Sequence, residues 1–312
     1  MILSVSRRTD IPNYYSDWFV NRIKEGFVYV RNPMNAHQIS RIDLSPDVVD
    51  CIVFWTKNPA NMMEGLEHLQ EYAYYFQFTL TGYGKDMEPN LPDKRKELIP
   101  TFQRLSGKIG KEKVIWRYDP ILLNGRYTME YHLKAFEEIA HELSGYTEKV
   151  VISFVDFYAK IQHHMKQLGV RQMTEEEMIT LARSMVQIAA KYHLGMETCA
   201  EQIDLQHMGI SHGSCIDKKL VERIVGCKLS AEKDKNQRND CGCVESVEVG
   251  AYHTCLNGCR YCYANLNDAM VRESVKRYDP HSELLCGSCA PDDRVTDRKL
   301  RSWKDIQISF EW

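Results

Sequence analysis

The chain has 312 residues, enough to bury the core of one barrel-sized domain or two smaller ones. Lys+Arg 40 against Asp+Glu 43 leaves a formal net charge of -3, so charge gives no case for nonspecific nucleic-acid binding. No apolar run reaches membrane-spanning length and the first residues lack a signal-peptide pattern, so no membrane contact and a cytoplasmic protein are expected.

Residues 2–5 read as a short apolar strand. It ends in Ser6-Arg7-Arg8-Thr9-Asp10, a polar turn that either binds a ligand at a strand's carboxyl end or caps the next helix through Thr9 or Asp10. Residues 14–27 read as an amphipathic helix. Residues 27–30 and 38–42 predict an edge hairpin turning at 32–35. The apolar run 48–55 suits a fully buried parallel strand and contains Cys51, read as a structural thiol. It ends in Thr56-Lys57-Asn58-Pro59, and a helix to about 70 follows.

The pattern repeats. Strands are expected at 74–81, 114–116, 150–155 and 195–199. Helices are expected at 94–109, 128–143, 157–168 and 174–191, the last opened by a capping box from Thr174 to Glu177. Polar residues stand at the strand ends: Arg117 and Asp119, Asp156, Glu197 and Cys199. Alternation of this kind means a parallel sheet. Residues 203–245 break it, apart from a helix at 217–225, and 228–240 reads as a solvated loop. A last strand at 246–250 restores it.

After that strand comes Cys255-Leu-Asn-Gly-Cys259-Arg-Tyr-Cys262. Three thiols at C-x3-C-x2-C spacing do not pair easily as disulfides but can converge on one iron–sulfur cluster. Three ligands for four irons leave one iron open, which suggests chemistry and not electron transfer alone. Gly258 relaxes the backbone in a tight loop. A helix over 263–278 should follow, with Leu266, Met270 and Val271 as its apolar positions. A zinc site completed by His253 or another cysteine is the plainer alternative.

Of the 11 cysteines, Cys51 is the one in the first half; the rest run from Cys199 onward. Residues 199–289 thus form a cysteine-rich region within one domain spanning 1–312. Cys199, Cys215, Cys241 and Cys243 could gather as a second iron–sulfur cluster or a zinc site. Cys286 and Cys289 could replace Cys199 and Cys215, and Cys227 could stand in for either. The other histidines are dispersed and read as surface or core residues. There is no dinucleotide fingerprint, P-loop or nucleophile elbow.

At Cys255, Cys259, Tyr261 and Cys262 the chain resembles the radical S-adenosylmethionine (SAM) superfamily, whose hallmark is C-x3-C-x-aromatic-C. The whole chain also resembles an uncharacterised bacterial domain family whose C-terminal cysteines are similar to that motif. The Ser6–Asp10 turn, Phe54-Trp-Thr-Lys-Asn-Pro59 and Cys241-Gly-Cys243 belong to this second likeness. Counting the strands that begin at Ile2, Val48, Tyr74, Val114, Val150, Gly195 and Ser246 predicts an α/β fold, a (β/α) barrel or partial TIM-like barrel, similar to that superfamily's. Radical SAM enzymes usually carry the triplet early, and here it comes late. A circular permutation would explain this, with the cluster strand returning beside the first strand.

The resemblance further implies a [4Fe–4S] cluster on Cys255, Cys259 and Cys262, SAM on the open iron, and a reductant such as ferredoxin or flavodoxin. The deoxyadenosyl radical so released would act on an unidentified substrate. Tyr261 is expected near adenine. Ser6, Arg7, Thr9 and Asp10, with Asn58, are the candidates for holding SAM. Lys57, Arg117 and Asp119 are the catalytic candidates. The rival readings are a non-enzymatic iron–sulfur or zinc protein and a nucleic-acid repair lyase of the same superfamily, in which Trp55, Tyr83, Trp116 and Tyr118 would stack a base.

Overall fold

The structure is a computed structural model and describes residues 1–157, 161–238, 240–265 and 267–305. Its strands are β1 (Ile2–Val5), β2 (Phe27–Asn32), β3 (Asn35–Asp43), β4 (Cys51–Thr56), β5 (Tyr74–Thr79), β6 (Val114–Ile121), β7 (Lys149–Phe154), β8 (Gly195–Cys199), β9 (Ser211–Gly213), β10 (Val247–Glu248) and β11 (Arg294–Asp297). Eight of them form one parallel sheet in the order β10-β1-β4-β5-β6-β7-β8-β9.

The period-2 pattern of the strands decides which side chains go where. Leu3, Phe54, Phe76, Trp116 and Ile152 pack into a large apolar cluster on one face. The helices Ile99–Ile109, Met129–Leu143 and Glu175–Lys191 cover that face through residues such as Phe102, Phe136 and Met185. The intervening Ile2, Val53, Tyr75, Ile115 and Val151 form a second cluster on the other face. It is completed by Ile216, Leu220, Leu229 and Val244, from the region where the sequence loses its alternation. Further along the rows of this second face come Ser4, Trp55, Gln77, Arg117 and Ser153. That face is therefore apolar at the start of the strands and polar at their carboxyl ends.

The strand ahead of the cysteine triplet does return to the first strand. β10 pairs in parallel with β1, Leu3 opposite Val247 and Ser4 opposite Glu248, and Ser4 Oγ donates to Glu248 Oε2 at 2.9 Å. Among the described residues no ladder joins β9 to β10. The segment ahead of β10 instead reaches back to the residues after β9, with Val244 N donating to Ile216 O at 3.2 Å.

Several expectations are corrected. β9 is a three-residue polar strand with no apolar signature. β11 pairs with β3 of the hairpin, making a separate three-stranded sheet. The helix expected at 14–27 is two, Ile11–Tyr14 and Ser16–Glu25. β6 runs on through Pro120, which places Arg117 inside the strand. The helix after Cys262 starts only at Asp268, because Asn267 caps it by accepting from Met270 N; Met270 is exposed and Leu266 lies outside the described residues. The helix expected at 157–168 is Gln162–Gln167, with 158–160 outside the described residues. The capping box is present: Thr174 Oγ1 accepts from Glu177 N, and Glu177 Oε2 from Thr174 N. Among the described residues no helix is long and apolar enough to cross a membrane.

Candidate metal centre and its cavity

A cavity of about 510 Å³ opens at the carboxyl ends of the parallel strands, where such sheets place their ligands. Its wall carries both thiol groups, Cys255, Cys259 and Cys262 together with Cys199, Cys215, Cys241 and Cys243. The turn Ser6–Asp10, Lys57, Arg117, Asp119, Asp156 and Tyr261 also line it. Residues up to 256 apart in sequence meet there because β1 and β10 are neighbours.

The loop bearing the triplet is pinned from several sides. His253 N donates to Ala264 O at 3.1 Å and Asn265 Nδ2 to Cys255 O at 2.8 Å, closing the loop on itself. Gly258 has φ +68°, and a Cβ there would stand 2.9 Å from Asn90 Nδ2. Only glycine tolerates both conditions. Asn257, almost fully buried, accepts from Tyr14 OH (2.9 Å) and Asn13 Nδ2 (3.3 Å) and donates to Asp10 Oδ2 (3.0 Å).

Burial holds all three triplet thiols above their ordinary pKa. Cys255 is raised further by Asp10 and by its two neighbours, and Cys259 reaches about 12 despite the Lys57 ammonium nearby. A bound cation is what would take such protons off. The triplet sulfurs are not drawn together at a point: among the described residues, the one set of three ligand atoms mutually within 4.8 Å is His37, Asp292 and Asp293, at the surface. Four sulfurs around a single zinc would stand only about 3.8 Å apart.

Glu88 is the residue that sequence reasoning missed. It is 1% exposed and sits in the 82–92 loop. Its carboxylate takes Lys57 Nζ at 2.7 Å, Thr81 Oγ1 at 3.0 Å, Lys94 Nζ and the Tyr261 hydroxyl. Burial alone would raise its pKa, but the two ammoniums overcome that and hold it at about 2. Lys57 also donates to Tyr261 OH at 3.0 Å. Lys57 is thus tied into the wall behind Cys259, a positioning role more than a free catalytic one. Nothing in the local sequence marks Glu88, since Lys57 and Tyr261 are distant in the chain.

The N-terminal turn divides into anchored and unengaged groups. Asp10 accepts from Lys57 N (2.8 Å), Asn13 N (3.2 Å) and Asn257, so it joins β1, β4 and the triplet loop. Ser6 Oγ caps Arg8 N at 2.9 Å. Arg7 binds Glu248 through its backbone N and Ser246 through Nη2. Two buried polar atoms on this turn, Thr9 Oγ1 and Arg7 Nε, have no partner among the described residues, and such atoms call for one. Gly250 lets the turn approach: a Cβ there would fall 1.8 Å from Ser6 Oγ and 2.5 Å from Ser6 Cβ. Gly250→Ala is expected to cost about 1–3 kcal/mol through overpacking, read as a lower urea midpoint with unchanged slope.

The second thiol group has its own surroundings. Cys199 and Cys215 Sγ lie 2.8 Å apart. Arg117 Nη1 donates to Cys215 Sγ at 2.9 Å, and the same guanidinium grips Asp119 through Nε at 3.1 Å and through Nη2. Arg117 and Arg7 both stack on Trp55, at 5.4 and 5.6 Å from the ring. Arg117 and Asp119 thus serve this thiol group as much as the open cavity.

Some candidates fall elsewhere. Asn58 is off the wall, its side chain accepting from Ala60 N at 3.2 Å. Glu197 lies one pleat deeper than Cys199 and is taken by Lys149 at 2.8 Å. Cys227, Cys286, Cys289 and His253 do not line the cavity. The 228–240 stretch is not merely a solvated loop, because Asn236, Gln237 and Arg238 reach the cavity and Arg238 pairs with Asp156.

No curated protein and no solved structure matches the chain. A family model does, over residues 2–264, a span that begins at β1 and takes in all seven thiols of the cavity. The chain belongs to the family described as Domain of unknown function (DUF1848).

Proposed function

We propose that the protein is a radical SAM enzyme, with a [4Fe–4S] cluster on Cys255, Cys259 and Cys262 and SAM bound beside it in the cavity. The observation that carries the reading is the arrangement of the triplet: three half-buried thiols on one cavity wall, not drawn together at a point, with unpartnered polar atoms on the neighbouring turn. The eight parallel strands with helices on one face suit a partial (β/α) barrel. The β10–β1 pairing suits a permuted one, with the cluster strand last in the chain.

When bound, the cluster supplies the electron that cleaves the SAM sulfonium and releases a deoxyadenosyl radical. The chain's own residues hold and orient. Thr9 Oγ1 and Arg7 Nε are free to take polar groups of SAM. Asp10 shapes the turn and does not bind directly, since both its oxygens are taken by the protein; Ser6 Oγ accepts from Arg8 N and keeps its own proton to donate. Ala264 N points at Cys262 Sγ at 3.4 Å, a hydrogen bond of the kind that tunes a cluster. Glu88 keeps Lys57 and Tyr261 fixed behind Cys259. The substrate belongs in the remaining space between Asp119, Asp156 and Trp55.

The test is anaerobic reconstitution with iron and sulfide, followed by reduction with dithionite in the presence of SAM. Deoxyadenosine and methionine should appear, in amounts that depend on the reductant. A protein that holds a full complement of iron and leaves SAM intact would be a cluster-binding protein and not this enzyme.

A further inference from the structure

The triplet leaves four cavity thiols unexplained. Cys199 ends β8, Cys215 follows β9, and Cys241 and Cys243 flank Gly242 just ahead of β10. A Cβ on Gly242 would come within 2.5 Å of Ser214 Oγ, so the C-x-C turn is pressed against the Cys215 segment. The sulfurs lie along one stretch of wall: Cys199 Sγ is 2.8 Å from Cys215 Sγ, and the backbone next to Cys215 reaches Cys243 through Ile216 N at 3.3 Å. Four thiols on the wall of one cavity are more than packing requires. Cys51, a structural thiol, shares their apolar cluster but stays off the cavity wall.

We propose that Cys199, Cys215, Cys241 and Cys243 hold a second iron–sulfur cluster, fully ligated by the protein and separate from the triplet's. Two observations favour a cluster over zinc. A tetrahedral zinc brings all its sulfurs to about 3.8 Å of one another, whereas no three of these lie mutually within 4.8 Å; the 2.8 Å Cys199–Cys215 contact opens for either group. Structural zinc sites also draw on C-x2–4-C pairs and close on themselves; this one uses C-x-C with two thiols from separate strand ends, and all four face the cavity. The sulfurs are met by N–H donors, Arg117 Nη1 on Cys215 at 2.9 Å and Ile216 N on Cys243 at 3.3 Å. Such contacts offset the negative charge of a thiolate-ligated cluster and adjust its potential. Arg117, invariantly charged and clamped by Asp119, is the fixed cation of the site.

The site stands independently of the enzymatic reading, and its test keeps the two apart. The full chain and the variant Cys255→Ala/Cys259→Ala/Cys262→Ala are reconstituted side by side, and iron, acid-labile sulfide and zinc are counted per chain. The triple variant should keep about half of the wild-type iron if the second cluster has four irons, or about a third if it has two, with matching sulfide. Its visible and EPR spectra should no longer respond to SAM. Cys241→Ser/Cys243→Ser should lose the complementary share and keep the SAM-responsive signal. If that double variant does not fold, as judged by circular dichroism, Cys199→Ser is read in its place. A triple variant without iron and sulfide, or with one zinc and no sulfide, overturns the proposal. A protein that makes no deoxyadenosine, yet whose triple variant retains iron and sulfide, refutes the enzyme and leaves the second cluster standing.

Discussion

Alanine at Cys255, Cys259 or Cys262 is expected to bring deoxyadenosine release down to background, each substitution alone sufficing. A four-iron cluster held by three thiolates has no ligand to spare. The other thiols on the wall are engaged with one another, and Cys227, Cys286 and Cys289 lie off the cavity. Loss of an outer partner of a metal ligand already costs about 10–100-fold in affinity or activity, so loss of a ligand should cost more than about a hundredfold. The fold should survive, since the loop is also held by Asn257, Asn265 and the 253–264 backbone bond. Circular dichroism and urea midpoints close to wild type would separate lost chemistry from lost structure. One single variant that still makes deoxyadenosine at a tenth of the wild-type rate would remove that thiol from the ligand set.

Glu88→Gln is expected to have the largest effect on stability. The substitution leaves Lys57 and Lys94 buried beside a neutral amide, and removing one partner of a buried ion pair costs about 3–5 kcal/mol. The urea midpoint should fall accordingly. Acid provides an independent check. The folded-state pKa of Glu88, about 2, lies below its ordinary value of 4.5. Its contribution is therefore complete above pH 4.5 and is lost as pH falls from there towards 2. At about 1.4 kcal/mol per pH unit, that span is worth about 3 kcal/mol. The gap between wild type and Glu88→Gln should be widest at neutral pH and close across the same interval. A gap independent of pH would mean that the carboxylate is not what the variant removes.

The legible parts of the molecule are those whose signal is local. Strands such as Cys51–Thr56 announce themselves by apolar runs, and the Thr174–Glu177 cap by spacing. The triplet and the Ser6–Asp10 turn stand out because chemically active residues are crowded within a few positions. What stayed hidden depends on partners far along the chain. Glu88 reads as one more acid in a proline-containing loop until Lys57 and Tyr261 are seen on it. Arg117 reads as a strand-end cation until its contact with Cys215 turns it towards the second thiol group. β9 and β11 are short and polar, and pair only because a neighbouring edge is available. The choice among the late cysteines was likewise a question of distance in space: Cys199 and Cys215 meet, while Cys286 packs near Tyr15 instead.

The adjacency of β1 and β10 also sets a timetable for biogenesis. Ser4 and Glu248, bonded across that pair, are 244 positions apart. At a synthesis rate of about 5–20 residues per second, β1 leaves the ribosome some 12–50 seconds, very roughly, before the strand that covers its edge. During that delay the nascent sheet has a bare margin, and the turn after β1 has its partners at Asn13 and Lys57 but not yet those at Ser246, Glu248 and Asn257. The cavity wall is therefore complete only once the last strand has been made, and a chain stopped before Glu248 lacks both the β10 edge and the triplet.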